Sequence, residues 1–199
     1  MLISHYDFID FIDILLIMTP GQIIKTFKSK KGNDVIIRYP KWEDLDEATT
    51  LANELVKEEA HLMLSEKQTH EDEAKWLAES LVQIEQGKKI QLFVDVNDHY
   101  AGNAEIRVRD KRQSHVGEIG IALGKDFRDE GIGAELLTAL IAEGKKAGLQ
   151  LLILYCFQTN EQALHLYKKL GFTRSGIVPG IYAYKGDFVG EVTLYLPLV

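Results

Sequence analysis

The segment from residue 115 to residue 157 constrains the fold more than any other part of the sequence. It contains two apolar runs, 115–123 and 151–157, and the second is typical of a buried central strand with a parallel neighbour. Between them lies a helix with an apolar stripe of period 3.6, which follows a glycine loop and ends at Gly148. Strand, helix and strand in this order predict a βαβ crossover, and therefore an α/β domain.

Two glycines in the loop before this helix, Gly131 and Gly133, need a physical reason, because glycine loses the most backbone entropy on folding. The first N–H groups of a helix lack intrahelical partners and carry a partial positive charge. Bare backbone would let a bulky anion reach them, as in a phosphate-binding loop. The loop is neither a Walker A motif nor a good dinucleotide fingerprint. Taken by itself, it is more simply interpreted as a tight strand-to-helix turn without a ligand.

The rest of the chain predicts strands and helices on both sides of the crossover. A short strand precedes two amphipathic helices, a hairpin follows them, and a last helix and a closing hairpin end the chain. Their ranges are 33–40 for the strand, 42–60 and 69–87 for the helices, 90–110 for the hairpin, 161–170 for the last helix and 176–198 for the closing hairpin.

The first 20 residues are predicted to be an appendage, and residues 21–199 a single domain. The opening stretch is apolar, but aspartates interrupt it and no basic region leads it, so we expect no membrane span. Phe8, Ile12 and Leu15 would share one face of a helix that docks on the domain or on a second subunit, which makes a homodimer possible. The alternative is an upstream start codon, with the natural beginning near Met18.

Charge and cysteine content exclude several classes of partner. Lys plus Arg number 23 against 30 Asp plus Glu, a net charge of −7 that argues against nucleic acid, since phosphate binding needs a basic face. Cys156 is the single cysteine, so no intrachain disulfide can form and a reducing cytoplasm fits. The histidines are scattered and no zinc spacing occurs, so we expect no metal.

The glycine loop is part of a longer pattern. Arg128-x-x-Gly131-x-Gly133, a long helix, a buried strand, Asn160 and the run LYKKLGF at 166–172 follow one another at tight spacing. In this the chain resembles the GNAT superfamily of acyl-CoA-dependent N-acetyltransferases, over roughly residues 33–198. The resemblance implies a mixed, mostly antiparallel twisted sheet of about seven strands with helices on both faces.

The activity that the resemblance implies is acetyl transfer from acetyl-CoA to a primary amine, on a small molecule or a peptide, by direct transfer in a ternary complex. Two alternatives stay open. One is an acetyltransferase acting on protein N-termini or lysines, and the other is a non-catalytic module that binds acyl-CoA.

The resemblance places the cofactor on the glycine loop, one strand and the last helix. Loop N–H groups would hold the CoA diphosphate, Arg128 would offset its charge, and two loop acids would point away. The pantetheine arm would lie between the parted strands 115–123 and 151–157, where a backbone N–H polarises the thioester carbonyl. Tyr167 would protonate the leaving thiolate; alternatively, it packs under the last helix with its hydroxyl bonded to backbone. The implied cofactor-binding residues are Ile121, Ala122, Leu123, Arg128, Asp129, Glu130, Gly131, Ile132, Gly133, Ala134, Asn160 and Tyr167.

An alkyl ammonium has a pKa near 10.4, so freeing the amine at neutral pH costs about 4 kcal/mol and calls for a general base. Glu118 is the first candidate for this catalytic role and Glu105 the second. The alternative for both is an ion pair with Arg107 or Arg109, and this is the simpler interpretation of Glu105.

The acceptor pocket is implied to lie under the connection between the first two helices. Its candidate substrate-binding residues are Glu58, Glu59, Glu105 and Tyr155, with His61, Tyr182 and Tyr184 nearby. Tyr155 stands where enzymes that acetylate ribosomal-protein N-termini often carry Glu, so it either lines the pocket or belongs to the core. We expect Cys156 to be a small buried filler, which favours direct transfer over a covalent intermediate.

Overall fold

The computed structural model describes residues 19–199. The predictions for the appendage helix therefore lie outside the described residues. The elements follow in chain order as Ile23–Lys28 (β1), Asp34–Arg38 (β2), Leu45–Lys57 (α1), His70–Glu85 (α2), Lys89–Val96 (β3), His99–Val108 (β4), Val116–Leu123 (β5), Ile132–Lys146 (α3), Leu151–Phe157 (β6), Glu161–Lys169 (α4), Thr173–Tyr184 (β7) and Asp187–Pro197 (β8).

The strands form a single sheet in the order β1-β2-β3-β4-β5-β6-β8-β7, and the predicted mixed, mostly antiparallel architecture is confirmed. Strands β5 and β6 pair in parallel, as the crossover predicts, while each of the other described pairs is antiparallel. The sheet has eight strands, not about seven. The additional strand, β1, is a largely exposed edge strand with lysines, so its sequence lacks the apolar run that marks a buried strand.

The helices cover both faces of the sheet, as predicted. On β3, Leu92 and Val94 join the core under α3, whereas Phe93 points to the opposite face and packs with α1 and α2. This division follows from the alternation of side chains along a strand. The apolar stripe predicted for α3 is buried, since Leu136, Leu137 and Leu140 are fully covered.

The run Thr69-x-x-Asp72 predicts a capping box in the sequence, and Thr69 begins α2 with one. The Thr69 hydroxyl accepts from the backbone N–H of Asp72 at 3.2 Å, and the Asp72 carboxylate accepts from the N–H of Thr69 at 2.9 Å. No helix within residues 19–199 is both long enough and apolar enough to cross a bilayer.

Strands β5 and β6 part halfway along their length. Their parallel pairing begins at Val116 with Leu151 and ends at Ile119 with Leu154. Beyond that point β5 pairs with β4 alone and β6 with β8 alone. Because the two strands keep their outer partners while losing each other, the sheet opens into a wedge at this place.

Candidate active site

A cavity of about 1390 Å³ occupies the wedge between β5 and β6. Its walls come from β5 and β6, the start of α3, the helix α4, the connection after α1 and the hairpin β7–β8. Pockets for drug-sized ligands are typically about 300–1,000 Å³. The cavity therefore has room for a large, extended cofactor together with a second, smaller molecule.

The start of α3 presents free N–H groups to this cavity. Gly131 precedes the helix with φ +86°, a left-handed conformation that favours glycine, and it offers no side-chain cap. The first helical hydrogen bond runs from Glu135 N to the carbonyl of Gly131 at 3.2 Å. The amides of Ile132, Gly133 and Ala134 thus have no acceptor in the described part of the chain. Gly131, Gly133 and Ala134 line the cavity, while the Ile132 side chain is buried in the core.

The two acids of the loop differ in their placement. Glu130 points away from the cavity, and its carboxylate, in a residue only 2% exposed, accepts from Ser29 Oγ at 2.7 Å and pairs with Lys31 Nζ at 2.9 Å. The hydrogen bond from Ser29 and the charge of Lys31 hold the pKa of Glu130 below its usual range. Asp129 does not point away as predicted, because it lines the cavity, where its carboxylate accepts from Gln162 Nε2 at 2.6 Å.

Arg128 links the glycine loop to the end of β5 and to the connection after α1. Its Nε and Nη2 donate to the carbonyl of Leu123 at 3.0 and 2.8 Å, and its guanidinium also forms an ion pair with Glu58. The carbonyl of Leu123 is therefore engaged by this side chain. Glu58 is engaged too, so its carboxylate is not a free partner for a cationic amine. The sequence does not indicate this pairing, because 70 residues separate the two side chains.

Tyr167 lies in α4 and lines the cavity although the residue is only 6% exposed. Its ring packs edge-on against Phe172, with 5.9 Å between centroids. Its hydroxyl makes no hydrogen bond within residues 19–199, so the alternative of a hydroxyl bonded to backbone is not what we observe. Burial raises the pKa of Tyr167 well above its ordinary value. The phenol is thus protonated at neutral pH and free to donate.

Asn160 begins α4 beside this tyrosine. Its side-chain oxygen accepts from the N–H of Ala163 at 3.2 Å and so caps the helix. The capping role uses the amide oxygen only, and Asn160 lines the cavity, so its NH₂ group remains available to a ligand. The residue can therefore combine a structural role with the predicted cofactor contact.

Glu118 lies on the cavity wall on the α1–α2 side of the sheet. The register between β4 and β5 runs without a shift, so Glu118 keeps simple alternation with Gly120. Its two oxygens accept from Arg107 at 3.2 Å and Arg109 at 3.1 Å. Arg109 also donates to the hydroxyl of Tyr155 at 2.8 Å. Tyr155 is 38% exposed and lines the cavity, so it belongs to the pocket and not to the core.

Glu105 does not line the cavity. Its carboxylate lies between Lys89 at 2.8 Å and Arg107 at 3.3 Å. This matches the ion-pair alternative, and the structure does not bring Glu105 together with the other predicted acceptor residues. In the cluster as a whole, the two carboxylates of Glu105 and Glu118 face the three cations of Lys89, Arg107 and Arg109.

The connection after α1 and the end of the β7–β8 hairpin meet over the cavity. Tyr184 donates its hydroxyl hydrogen to the carbonyl of Glu59 at 2.7 Å. The His61 ring lies 4.8 Å from the Tyr184 ring and 5.5 Å from that of Phe157. Burial, with the charges of Lys185 and Arg128, lowers the pKa of His61, so its imidazole is neutral at pH 7. Glu59 itself is exposed and pairs with Lys185 at 3.7 Å.

Cys156 is buried on the opposite face of β6 from Tyr155. Burial raises the pKa of its thiol to about 12. A thiol with so high a pKa carries almost no thiolate at neutral pH, and the thiolate is the nucleophilic form. The predicted role of a small buried filler fits this environment.

Several cavity residues were missed by sequence reasoning, and three of them make contacts that matter for the site. Lys30 comes from the turn between β1 and β2, Phe157 from the end of β6, and Glu191 from β8, where it accepts a hydrogen bond from Tyr182. Phe157 stacks on Tyr182 with 4.1 Å between centroids. None of them has a local signal, because each reaches the cavity only through the pairing of distant segments.

Comparisons with known proteins agree with this geometry. The family model for Acetyltransferase (GNAT) family matches residues 49–172. The chain is 22% identical over 152 residues to YwnH of Bacillus subtilis (strain 168), provisionally named a phosphinothricin acetyltransferase, an alignment that covers 75% of this chain and 91% of YwnH.

Solved structures give the same result for the fold. An acetyltransferase of the GNAT family from Streptococcus pneumoniae superposes with a TM-score of 0.73 at 25% identity, covering 82% of this chain and 99% of its own. RimL, a ribosomal L7/L12 alpha-N-protein acetyltransferase in complex with coenzyme A, superposes with a TM-score of 0.76 at 14% identity, covering 88% and 98%.

Proposed function

This chain belongs to the GNAT family of acetyltransferases, and on that basis we propose that it transfers the acetyl group of acetyl-CoA directly to a primary amine in a ternary complex. The observation that carries this proposal is the wedge between β5 and β6, with unpaired amides at one end and the Tyr167 hydroxyl in its wall. A cofactor with a diphosphate and an extended arm fits both features.

The cradle for the diphosphate is the backbone of residues 131–134. A side chain at Gly131 would protrude beside these amides, and the left-handed backbone there excludes most residues. A Cβ at Gly133 would lie 3.6 Å from Leu166 and 4.0 Å from Ile121, inside the wedge. Bare backbone at both places therefore keeps the path of the arm open.

Tyr167 and Glu118 divide the proton transfers. Glu118 takes a proton from the ammonium of the acceptor, which frees the amine to attack the thioester carbonyl, and Tyr167 donates its phenolic proton to the leaving thiolate. Each oxygen of Glu118 accepts one arginine hydrogen bond, which leaves a further lone pair on each for the amine. The positions of the two residues on opposite faces of the opened sheet suit these separate roles.

The acceptor class we infer is a small molecule that carries an anionic group beside its amine. Both oxygens of Glu118 are paired with arginines, so this part of the pocket is not the acidic cup that a simple polyamine would need. Arg107 lines the cavity, and its Nη1, which takes no part in its bonds to Glu105 and Glu118, can donate to a carboxylate or phosphinate. The name of YwnH, which refers to phosphinothricin, is consistent with this class.

A protein substrate is the second candidate, and RimL shows that this fold accommodates one. The contact between Tyr184 and Glu59 roofs the cavity and favours a small acceptor. A non-catalytic module is disfavoured by Tyr167, a residue only 6% exposed that lines the cavity and whose hydroxyl has no hydrogen-bond partner in the described chain.

An assay of CoA release across a panel of acceptors tests the proposal. We expect acetyl-CoA to release its thiol with α-amino acids and their phosphinate analogues, and more slowly with matched amines that lack the anionic group. A peptide panel with free N-termini serves as the comparison. If no amine stimulates thiol release while acetyl-CoA still binds, transfer to amines is wrong.

Replacing Cys156 by Ala tests direct transfer. Because the thiol is protonated and buried, we expect kcat to stay within about threefold of the parent value, with a stability cost of about 1 kcal/mol for the lost volume. Steady-state rates and thermal denaturation measure the two effects. Loss of activity by a hundredfold or more in a folded variant would instead indicate a covalent acetyl-cysteine.

A further inference from the structure

The turn between β1 and β2, residues 29–33, packs against the glycine loop that precedes α3. The backbone N–H of Lys30 donates to the carbonyl of Glu130 at 3.0 Å. This turn lies outside residues 49–172, which the family model matches, and β1 is the strand that the family resemblance did not predict. The contact therefore lies outside the part of the chain that the family model matches.

Glu130 joins the turn to the loop through its side chain as well. One of its oxygens accepts from Ser29 Oγ at 2.7 Å and from Asn33 Nδ2 at 2.9 Å, and the other pairs with Lys31 Nζ at 2.9 Å. The side-chain partners of this buried carboxylate thus all come from the turn. These contacts neutralise Glu130, whose charge would otherwise repel a phosphate on the loop. They also hold the turn at a fixed position beside Gly131.

Lys30 differs from the other lysines of this hairpin. Lys25 pairs with Glu135 at 2.6 Å, Lys28 with Asp34 at 2.6 Å, and Lys31 with Glu130 at 2.9 Å. Lys30 has no ion-pair partner within residues 19–199. An exposed lysine without a partner is ordinary by itself, so its position decides what it can do.

The Lys30 side chain lies along the bare face of Gly131. Its Cγ, Cδ and Cε are 3.8, 4.0 and 3.6 Å from the place where a Cβ of residue 131 would be. Lys30 also lines the cavity, beside the free amides at the start of α3. A mobile ammonium on this stem can reach an anion seated on those amides.

We propose that Lys30 is a phosphate ligand of the coenzyme, contributed by the β1–β2 hairpin, and that Glu130 is the positioning residue that docks this hairpin on the loop. The inference rests on the proposed binding of acetyl-CoA. Arg128 is paired with Glu58, so its charge is already largely neutralised. The β1–β2 hairpin supplies, through Lys30, the positive charge that the phosphate needs.

The test is calorimetric titration of the purified protein with CoA and with 3′-dephospho-CoA, for the parent and for Lys30→Ala. We expect Lys30→Ala to weaken CoA binding about 5- to 20-fold, near the lower end of the range for losing one hydrogen bond to a charged group, because the ammonium is exposed and screened by solvent. Equal losses with both ligands would place Lys30 on the diphosphate. A loss seen with CoA alone would place it on the 3′-phosphate.

Lys28→Ala is the matched control, because it removes an exposed lysine from the same hairpin that is already paired with Asp34. We expect it to bind both ligands as the parent does. Glu130→Gln should weaken CoA binding when it is introduced into the parent protein. In the Lys30→Ala variant the same substitution should cause little further loss of affinity, because Glu130 acts by positioning Lys30. Melting temperatures check that each variant is folded.

The outcomes separate this inference from the proposed function. If the parent binds CoA and Lys30→Ala binds it equally well, the role of Lys30 is wrong and the proposed function stands. If Lys28→Ala weakens binding as much as Lys30→Ala does, the effect is general surface charge and the inference also fails. If the parent binds neither ligand, the proposed function fails and the inference with it.

Discussion

Replacing Tyr167 by Phe is expected to lower kcat by about ten- to ten-thousandfold while leaving the affinity for acetyl-CoA nearly unchanged, the range for losing an acid–base group. The substitution removes one oxygen from a ring that is otherwise held by Phe172 and the core. Because the hydroxyl makes no hydrogen bond in the described chain, its removal leaves no partner unsatisfied. The fold should therefore tolerate the change, and the loss should be confined to the chemical step.

Steady-state kinetics and calorimetric titration with acetyl-CoA separate these effects. Tyr195→Phe is the matched control, since Tyr195 lies on β8, does not line the cavity, and should keep parent activity. Burial raises the pKa of Tyr167, so its deprotonation should not limit kcat below pH 10, its ordinary value. Unchanged turnover in Tyr167→Phe would assign the residue to packing, and another donor would have to protonate the thiolate.

Replacing Gly131 by Val is expected to weaken acetyl-CoA binding at least about tenfold, and up to about 150-fold if a charge-assisted hydrogen bond is lost outright. Two effects combine at this residue. A β-branched side chain would stand between the anion and the amides at the start of α3, and the backbone at φ +86° does not suit valine. Stability should also fall, by about 1–3 kcal/mol.

Gly148→Val is the control that separates backbone strain from a side chain that blocks the approach of the phosphate. Gly148 ends α3 with φ +79°, no atom lies within 4 Å of its added Cβ, and it does not line the cavity. The two variants should lose comparable stability, whereas acetyl-CoA affinity should fall only in Gly131→Val. Gly133→Val adds a third measurement, since φ is not positive there and the side chain would enter the wedge. If both loop variants bind acetyl-CoA as tightly as the parent does, the proposal that the backbone of residues 131–134 binds the diphosphate is wrong.

Much of the fold could be predicted because its signals are local. The apolar run of β6, the stripe of α3 and the capping box at Thr69 each occupy a few consecutive residues, and the structure confirms all three. The parallel pairing of β5 with β6 followed from their connection through a helix. Strand β1 escaped prediction because it is an exposed edge strand and shows no apolar run.

The acceptor side was harder to predict from sequence. Glu58 was expected to bind the amine, yet it neutralises Arg128, and Glu105 was expected near the acceptor, yet Lys89 and Arg107 hold it outside the cavity. The partner of a charged side chain is chosen by proximity in space. Hydropathy and spacing along the chain do not contain that information.

The sequence by itself determined the crossover, the glycine loop and the order of the motifs, because periodicity and backbone preference act within one segment. Only the tertiary structure decided which charges face the wedge and which are paired away from it. It brought Lys30 beside Gly131, and Ser29 beside Glu130 across 101 residues of chain. Such contacts depend on how strands pair and helices pack, and the free energy that selects them is shared by the whole core.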